Sequence, residues 1–136
     1  MSASSAPMVT GIDHIHVYVA DRSRAENWYS DVMGYSRVAA FEQWATLSGP
    51  LTLTNSEENV HLALFQRDNP VPSNVLALGA VGSEFIRWQT HLRARGMEVQ
   101  IKDHDLSISM YFEDLDRNVL EITTYDHVMV RSELQL

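Results

Sequence analysis

The sequence predicts an α+β fold: two tandem βαβββ modules forming a curved mixed sheet, with a concave cup on one face and helices on the outer face. Three observations predict it. The order strand, helix, strand, strand, strand is written twice along the 136 residues. Equivalent places recur at one period, since Val75 lies 61 residues after His14 and Glu121 lies 60 after His61. The strands also sort by phase, with aliphatic residues on one face and nearly all chemically capable side chains on the other.

Each element has its own signal. Residues 1–10 lack the basic start and apolar stretch of a secretion signal and read as a flexible leader. Residues 11–136 read as a single domain, with module one at about 11–67 and module two at about 73–126. Ile12 to Val19 alternates as a strand, with Asp21 as N-cap of a helix over Arg22 to Met33 that Gly34 closes. Short strands are expected near Ser36–Phe41 and Trp44–Leu47, then a turn at Gly49-Pro50, a polar loop over Asn55 to Asn59 and a strand over Val60 to Phe65. Asp68 to Ser73, with two prolines, reads as the linker. The second module is expected as a strand over Val75 to Val81, a helix from a Ser83 cap to about Arg95 closed by Gly96, and strands near Glu98–Lys102, Ser107–Phe112 and Val119–Tyr125. Trp28 and Trp88 are expected between helix and sheet, His91 on the surface and His127 in a tail beyond the last strand.

Composition narrows the function classes. Ten basic against eighteen acidic residues give a net charge of −8, which argues against nucleic acid or an anionic membrane as partner. No apolar run approaches a membrane span, and a cytoplasmic location is expected. With no cysteine, thiolate metal sites, disulfides and cysteine nucleophiles are excluded.

The phase argument picks out the candidate site. Ile15, Val17, Val19, Leu62, Leu64, Ile108, Met110, Leu120 and Ile122 fall on the helix-facing side. His14, His16, Tyr18, His61, Phe65, Ser109, Tyr111, Glu121 and Thr123 fall on the cup side. Two imidazoles and a carboxylate, His14, His61 and Glu121, form a ligand set for a divalent metal with open coordination positions. His16, Tyr18, Phe65, Ser109 and Thr123 are expected to line the pocket.

Four segments carry a family resemblance: Ile12-Asp-His-Ile-His-Val-Tyr-Val-Ala-Asp-Arg22, Trp28-Tyr-Ser-Asp-Val-Met-Gly34, Val60-His-Leu-Ala-Leu-Phe65 and Tyr111-Phe-Glu-Asp-Leu-Asp-Arg-Asn-Val-Leu-Glu121. With them the chain resembles single-domain members of the vicinal oxygen chelate superfamily of glyoxalases, extradiol dioxygenases, fosfomycin-resistance enzymes and bleomycin-binding proteins. The resemblance matches His14, His61 and Glu121 to three metal positions, and Val75 to a fourth that is a histidine in the family. Asp103 to Phe112 is similar to the catechol-dioxygenase segment that supplies a histidine and a tyrosine, which implies catalytic roles for His104 and Tyr111. Arg117 stands in the Asp114–Asn118 turn where the family has glycine, at a place that favours positive φ.

The resemblance therefore implies a metal-dependent enzyme chelating adjacent oxygens of a small substrate, with dioxygenase-like ring cleavage and iron(II) preferred. Nickel, zinc or manganese would suit a glyoxalase-type lyase or isomerase, and a non-catalytic bleomycin-type binder is the alternative of another class. A homodimer is also implied.

Overall fold

The structure, a computed structural model, describes residues 6–8, 10–72 and 74–136. Most of the expected leader, and Ser73 where the linker ends, lie outside the described residues.

Strand β1 (Ile15–Val19) is followed by helix α1 (Arg22–Met33). The strand begins three residues later than its alternation suggests. Its ladder to β4 (His61–Gln66) opens at Ile15↔Leu62, and Ile12 is exposed with nothing to pair against. Asp21 caps α1 by accepting from the Arg24 N–H at 3.0 Å, and Gly34, at φ 72°, ends it in the left-handed conformation. The helix buries Ala25, Tyr29, Val32 and Met33.

The next segment departs from expectation. Strand β2 is only Ser36–Arg37, and Ala39–Trp44 is a 3₁₀ helix instead of the predicted strands. The Arg22 guanidinium explains the compact path beyond it, donating to the carbonyls of Ala45, Thr46 and Gly49. The true third strand, β3 (Leu51–Thr54), comes after Pro50 and is buried along its length.

In the second module, β5 (Leu76–Gly79) leads into α2 (Gly82–Ala94). Val81, not Ser83, occupies the cap position, and the Asp126 carboxylate takes the Gly82 N–H at 2.6 Å. Gly96 follows the helix at φ 73°, and β6 (Gln100–Asp103), β7 (Ile108–Glu113) and β8 (Val119–Thr124) complete the sheet. Arg117 has φ 66°, as its place in the Asp114–Asn118 turn suggests. The presumed tail is a further helix, α3 (His127–Leu134), which buries Val130 and packs Leu134 on the core. His127 is thus no tail residue: it lies 2.7 Å from the Asp103 carboxylate, which also takes a 2.8 Å bond from Arg131.

Each module is a four-stranded mixed sheet, ordered β1-β4-β3-β2 and β5-β8-β7-β6, with β1∥β4 and β5∥β8 parallel and the other pairs antiparallel. The backbone ladder does not run from one sheet to the other; side chains join them. Val17, Leu53, Leu62 and Leu64 of the first sheet share one apolar cluster with Phe85, Ile108, Met110, Leu120 and Ile122 of the second module. Tyr29 OH donates to Asp114 Oδ2 at 2.8 Å, Asn118 Nδ2 to the Tyr18 carbonyl at 3.2 Å, and the Ala20 N–H to Asp116 Oδ1 at 3.0 Å. His91 belongs to the same boundary. It is half-buried, not a surface residue, because its Nε2 meets the Val32 carbonyl at 2.7 Å.

Candidate functional site

The cup-phase residues form two clusters, one on each sheet. The first is built on β1 and β4. Residues 14, 16 and 18 alternate onto one side, and the parallel ladder sets His16 beside Ala63 and Tyr18 beside Phe65. The His16 ring lies 4.7 Å from Phe65, and Tyr18 lies 5.9 Å from Phe65. The Arg67 guanidinium covers the Phe65 ring at 5.1 Å and the Tyr18 ring at 5.9 Å.

His14 stands just ahead of β1 and is exposed. Its Nδ1 is 2.7 Å from the Asp13 carboxylate, which can only accept, so Nδ1 carries a proton in that contact. Its Nε2 lies 3.1 Å from Nε2 of His16. His61 opens β4 opposite Thr54, one residue before the ladder to β1 begins, and is half-buried, its ring making no hydrogen bond among the described residues.

The second cluster is built on β7 and β8. Glu121 is registered between Ala77 of β5 and Tyr111 of β7, and Thr123 faces Ser109. Ser109, fully buried, donates from Oγ to Glu121 Oε2 at 2.7 Å and lies 3.0 Å from Thr123 Oγ1. Tyr111 OH is 3.0 Å from His104 Nε2, the β6–β7 turn bringing together residues seven apart. Burial, and next the charge of Glu121, push the Tyr111 phenol above its ordinary pKa, which keeps it protonated and able to donate. Lys102 Nζ sits 5.4 Å from the Tyr111 ring centroid.

The donor chemistry of these residues fits a divalent metal: an imidazole oriented by a carboxylate, a second imidazole beside it, and a carboxylate with one oxygen held by a serine. The ligand group is incomplete within the chain. Among the described residues, no three His, Cys, Asp or Glu side chains are gathered to hold an ion, so His14, His61 and Glu121 are not assembled as a triad. Their common phase fixes a face, but not a distance along or between strands. Sequence reasoning also missed Asp13, Arg67 and Lys102. Asp13 adjoins His14, a carboxylate–histidine signal that could have been read; the two cations are placed by strand register.

Comparison with known proteins bears on this arrangement. A family model described as Glyoxalase/Bleomycin resistance protein/Dioxygenase superfamily matches residues 11–122, and the chain belongs to that superfamily. No curated protein matches it. Among solved structures, an integron cassette protein from the mobile metagenome of the Halifax Harbour sewage outfall is similar with TM-score 0.73 and 17% identity, covering 85% of this chain and 99% of that one. A mutant FosX fosfomycin resistance protein from Listeria monocytogenes, complexed with Mn(II) and dihydroxypropylphosphonic acid, is similar with TM-score 0.72 and 16% identity over 95% of this chain and 100% of that one. A virulence protein from Salmonella typhimurium matches with TM-score 0.67 and 22% identity over 88% and 99% of the two chains. At these identities the likeness is one of fold. No helix among the described residues is long and apolar enough to cross a membrane.

Proposed function

We propose that the chain is a metal-dependent enzyme acting on a small oxygenated molecule, with dioxygenase-like ring cleavage of a catechol-type substrate as the leading reaction. The observation that carries this reading is the 3.0 Å contact between His104 and Tyr111 on the strand face that also holds Glu121. It pairs an imidazole, a side chain of the general acid–base type, with a phenol held protonated, next to a ligand-type carboxylate. His14 and Glu121 are the residues that would hold the ion, which when bound polarises two adjacent substrate oxygens. Iron(II) is the preferred metal for ring cleavage. His104 takes or returns a proton at Nε2, and Tyr111 donates from its hydroxyl to a substrate oxygen. Ser109 keeps Glu121 Oε2 engaged and leaves Oε1 for binding. His16, Tyr18 and Phe65 supply an aromatic wall. The working form is proposed as a cytoplasmic homodimer.

A second reading has its own support. Arg67 over Phe65 and Lys102 over Tyr111 put a cation on each cluster, which suits an anionic substrate such as a small phosphonate. The test is direct. Iron-loaded protein is offered a panel of catechols while dissolved oxygen is followed, and manganese-loaded protein is offered fosfomycin while its loss is followed. Oxygen uptake supports ring cleavage. Flat oxygen traces with loss of fosfomycin favour the phosphonate reading, and binding of bleomycin with neither turnover points to a non-catalytic binder.

A further inference from the structure

The predicted triad takes its second imidazole from β4, and the structure offers a better one. His14 and His16 are separated by a single residue, and strand alternation puts both rings on one side. The rings lie 5.0 Å apart with planes inclined by 23°, and their Nε2 atoms approach to 3.1 Å. Two imidazole nitrogens bonded to one ion at about 2.0–2.1 Å and cis to each other have about this separation. The Asp13 carboxylate lies 2.7 Å from His14 Nδ1, and Phe65 packs on the His16 ring at 4.7 Å, so each ring has a neighbour on the side away from the pair. His61, by contrast, has no oriented nitrogen and does not join this pair in a metal-holding group.

Val75 adds a second observation. It is the repeat mate of His14, so a symmetric site would carry a ligand there. It is a half-exposed apolar residue, and it lines with His16 a cavity of about 180 Å³ at the junction of β1, β5 and β8. His16 thus stands beside the position that lacks a ligand.

We propose that His14 and His16 together form the imidazole half of the metal site, with His16 as the second nitrogen ligand in place of His61. This rests on the metal-dependent reading above. Holding an ion would take the Nε2 lone pair of each ring, with the ring proton of each on Nδ1.

Metal-free protein is titrated with cobalt(II) by calorimetry, and the nitrogen count is read from the electron paramagnetic resonance hyperfine pattern of copper(II)-loaded protein. Wild type is expected to show two imidazole nitrogens. His16→Ala should leave one and weaken cobalt binding by on the order of 100-fold or more. His61→Ala should keep two nitrogens and the wild-type affinity. His16 is exposed, so its variant is expected to fold, and circular dichroism checks this. If His61→Ala loses a nitrogen while His16→Ala keeps two, the inference is overturned and the metal-dependent reading stands. If wild type binds neither ion, both fall.

Discussion

The Tyr29 hydroxyl donates at 2.8 Å to Asp114, tying the first helix to the turn before the last strand across 85 residues of sequence. Asp114 is buried and also accepts from Asn118 Nδ2 and from the N–H groups of Asp116 and Asn118. One carboxylate thus closes the β7–β8 turn and joins the two modules. Tyr29→Phe removes one donor and leaves the others, and is expected to cost about 1–2 kcal/mol. Asp114→Ala leaves four donors without their acceptor and is expected to cost about 3 kcal/mol or more. Urea unfolding measures both; a loss under about 0.5 kcal/mol for Asp114→Ala would show that the turn does not join the modules.

Buried phenols predict an alkaline limit. Burial, then Glu57, pushes Tyr35 up to about 12, and burial with Asp114 holds Tyr29 higher still. Their folded values exceed the unfolded value of about 10, so between about pH 10 and 12 the unfolded chain releases protons that the folded one keeps, and stability falls as pH rises. The urea midpoint should be level below about pH 9 and then decline, with a shallower decline in Tyr35→Phe. A midpoint that holds steady to about pH 12 contradicts this.

The last helix has an acid limit. Its His127 and Arg131 both reach Asp103, and Asp103 is held below the usual carboxylate range by His127 first and by the Asp105 N–H next. A depressed folded pKa contributes stability that is present above the unfolded value of about 3.9 and is lost as pH falls through the folded value. The thermal midpoint should therefore drop below about pH 4, and Asp103→Asn should start lower at neutral pH and show less of that drop. Equal pH profiles for the two proteins would count against the anchor.

At the second cluster, the His104–Tyr111 pair makes a kinetic prediction. His104→Ala should lower kcat by about 10²–10⁴-fold, the usual worth of a positioned acid or base. Tyr111→Phe should lower it by roughly tenfold, the worth of one hydrogen bond of about 1.4 kcal/mol made in the transition state. Steady-state kinetics on whichever substrate turns over decides this, and an unchanged kcat in His104→Ala removes the histidine from the chemistry.

Much of the fold was legible because its signals are local. Alternation at Ile15–Val19, the Asp21 cap and the Gly34 stop each act within a few residues. The stretch from Ala39 to Pro50 was not legible, since Arg22 shapes much of its path through three carbonyls more than twenty residues away. Leu51–Thr54 alternates, but a four-residue run behind Gly49-Pro50 is too short to stand out from a turn. The last helix was missed although Val130 and Leu134 carry the helical spacing and Asp126 is a capping type of residue, because the run is short and directly follows the strand; the Asp126 side chain bonds the Gly82 N–H and not the helix it precedes. In the site, strand phase gathered His16, Tyr18 and Phe65, and Ser109, Glu121 and Thr123, since side chains of one phase on paired strands are neighbours. Phase alone could not join His61 to Glu121, which lie on separate sheets.

Metal analysis of protein purified without chelator tests the proposed chemistry most directly. About one divalent ion per chain is predicted, lost in Glu121→Ala and in His14→Ala. Wild-type protein that carries no divalent ion, and takes up none when offered iron(II), manganese(II) or zinc(II), would contradict a metal-dependent enzyme.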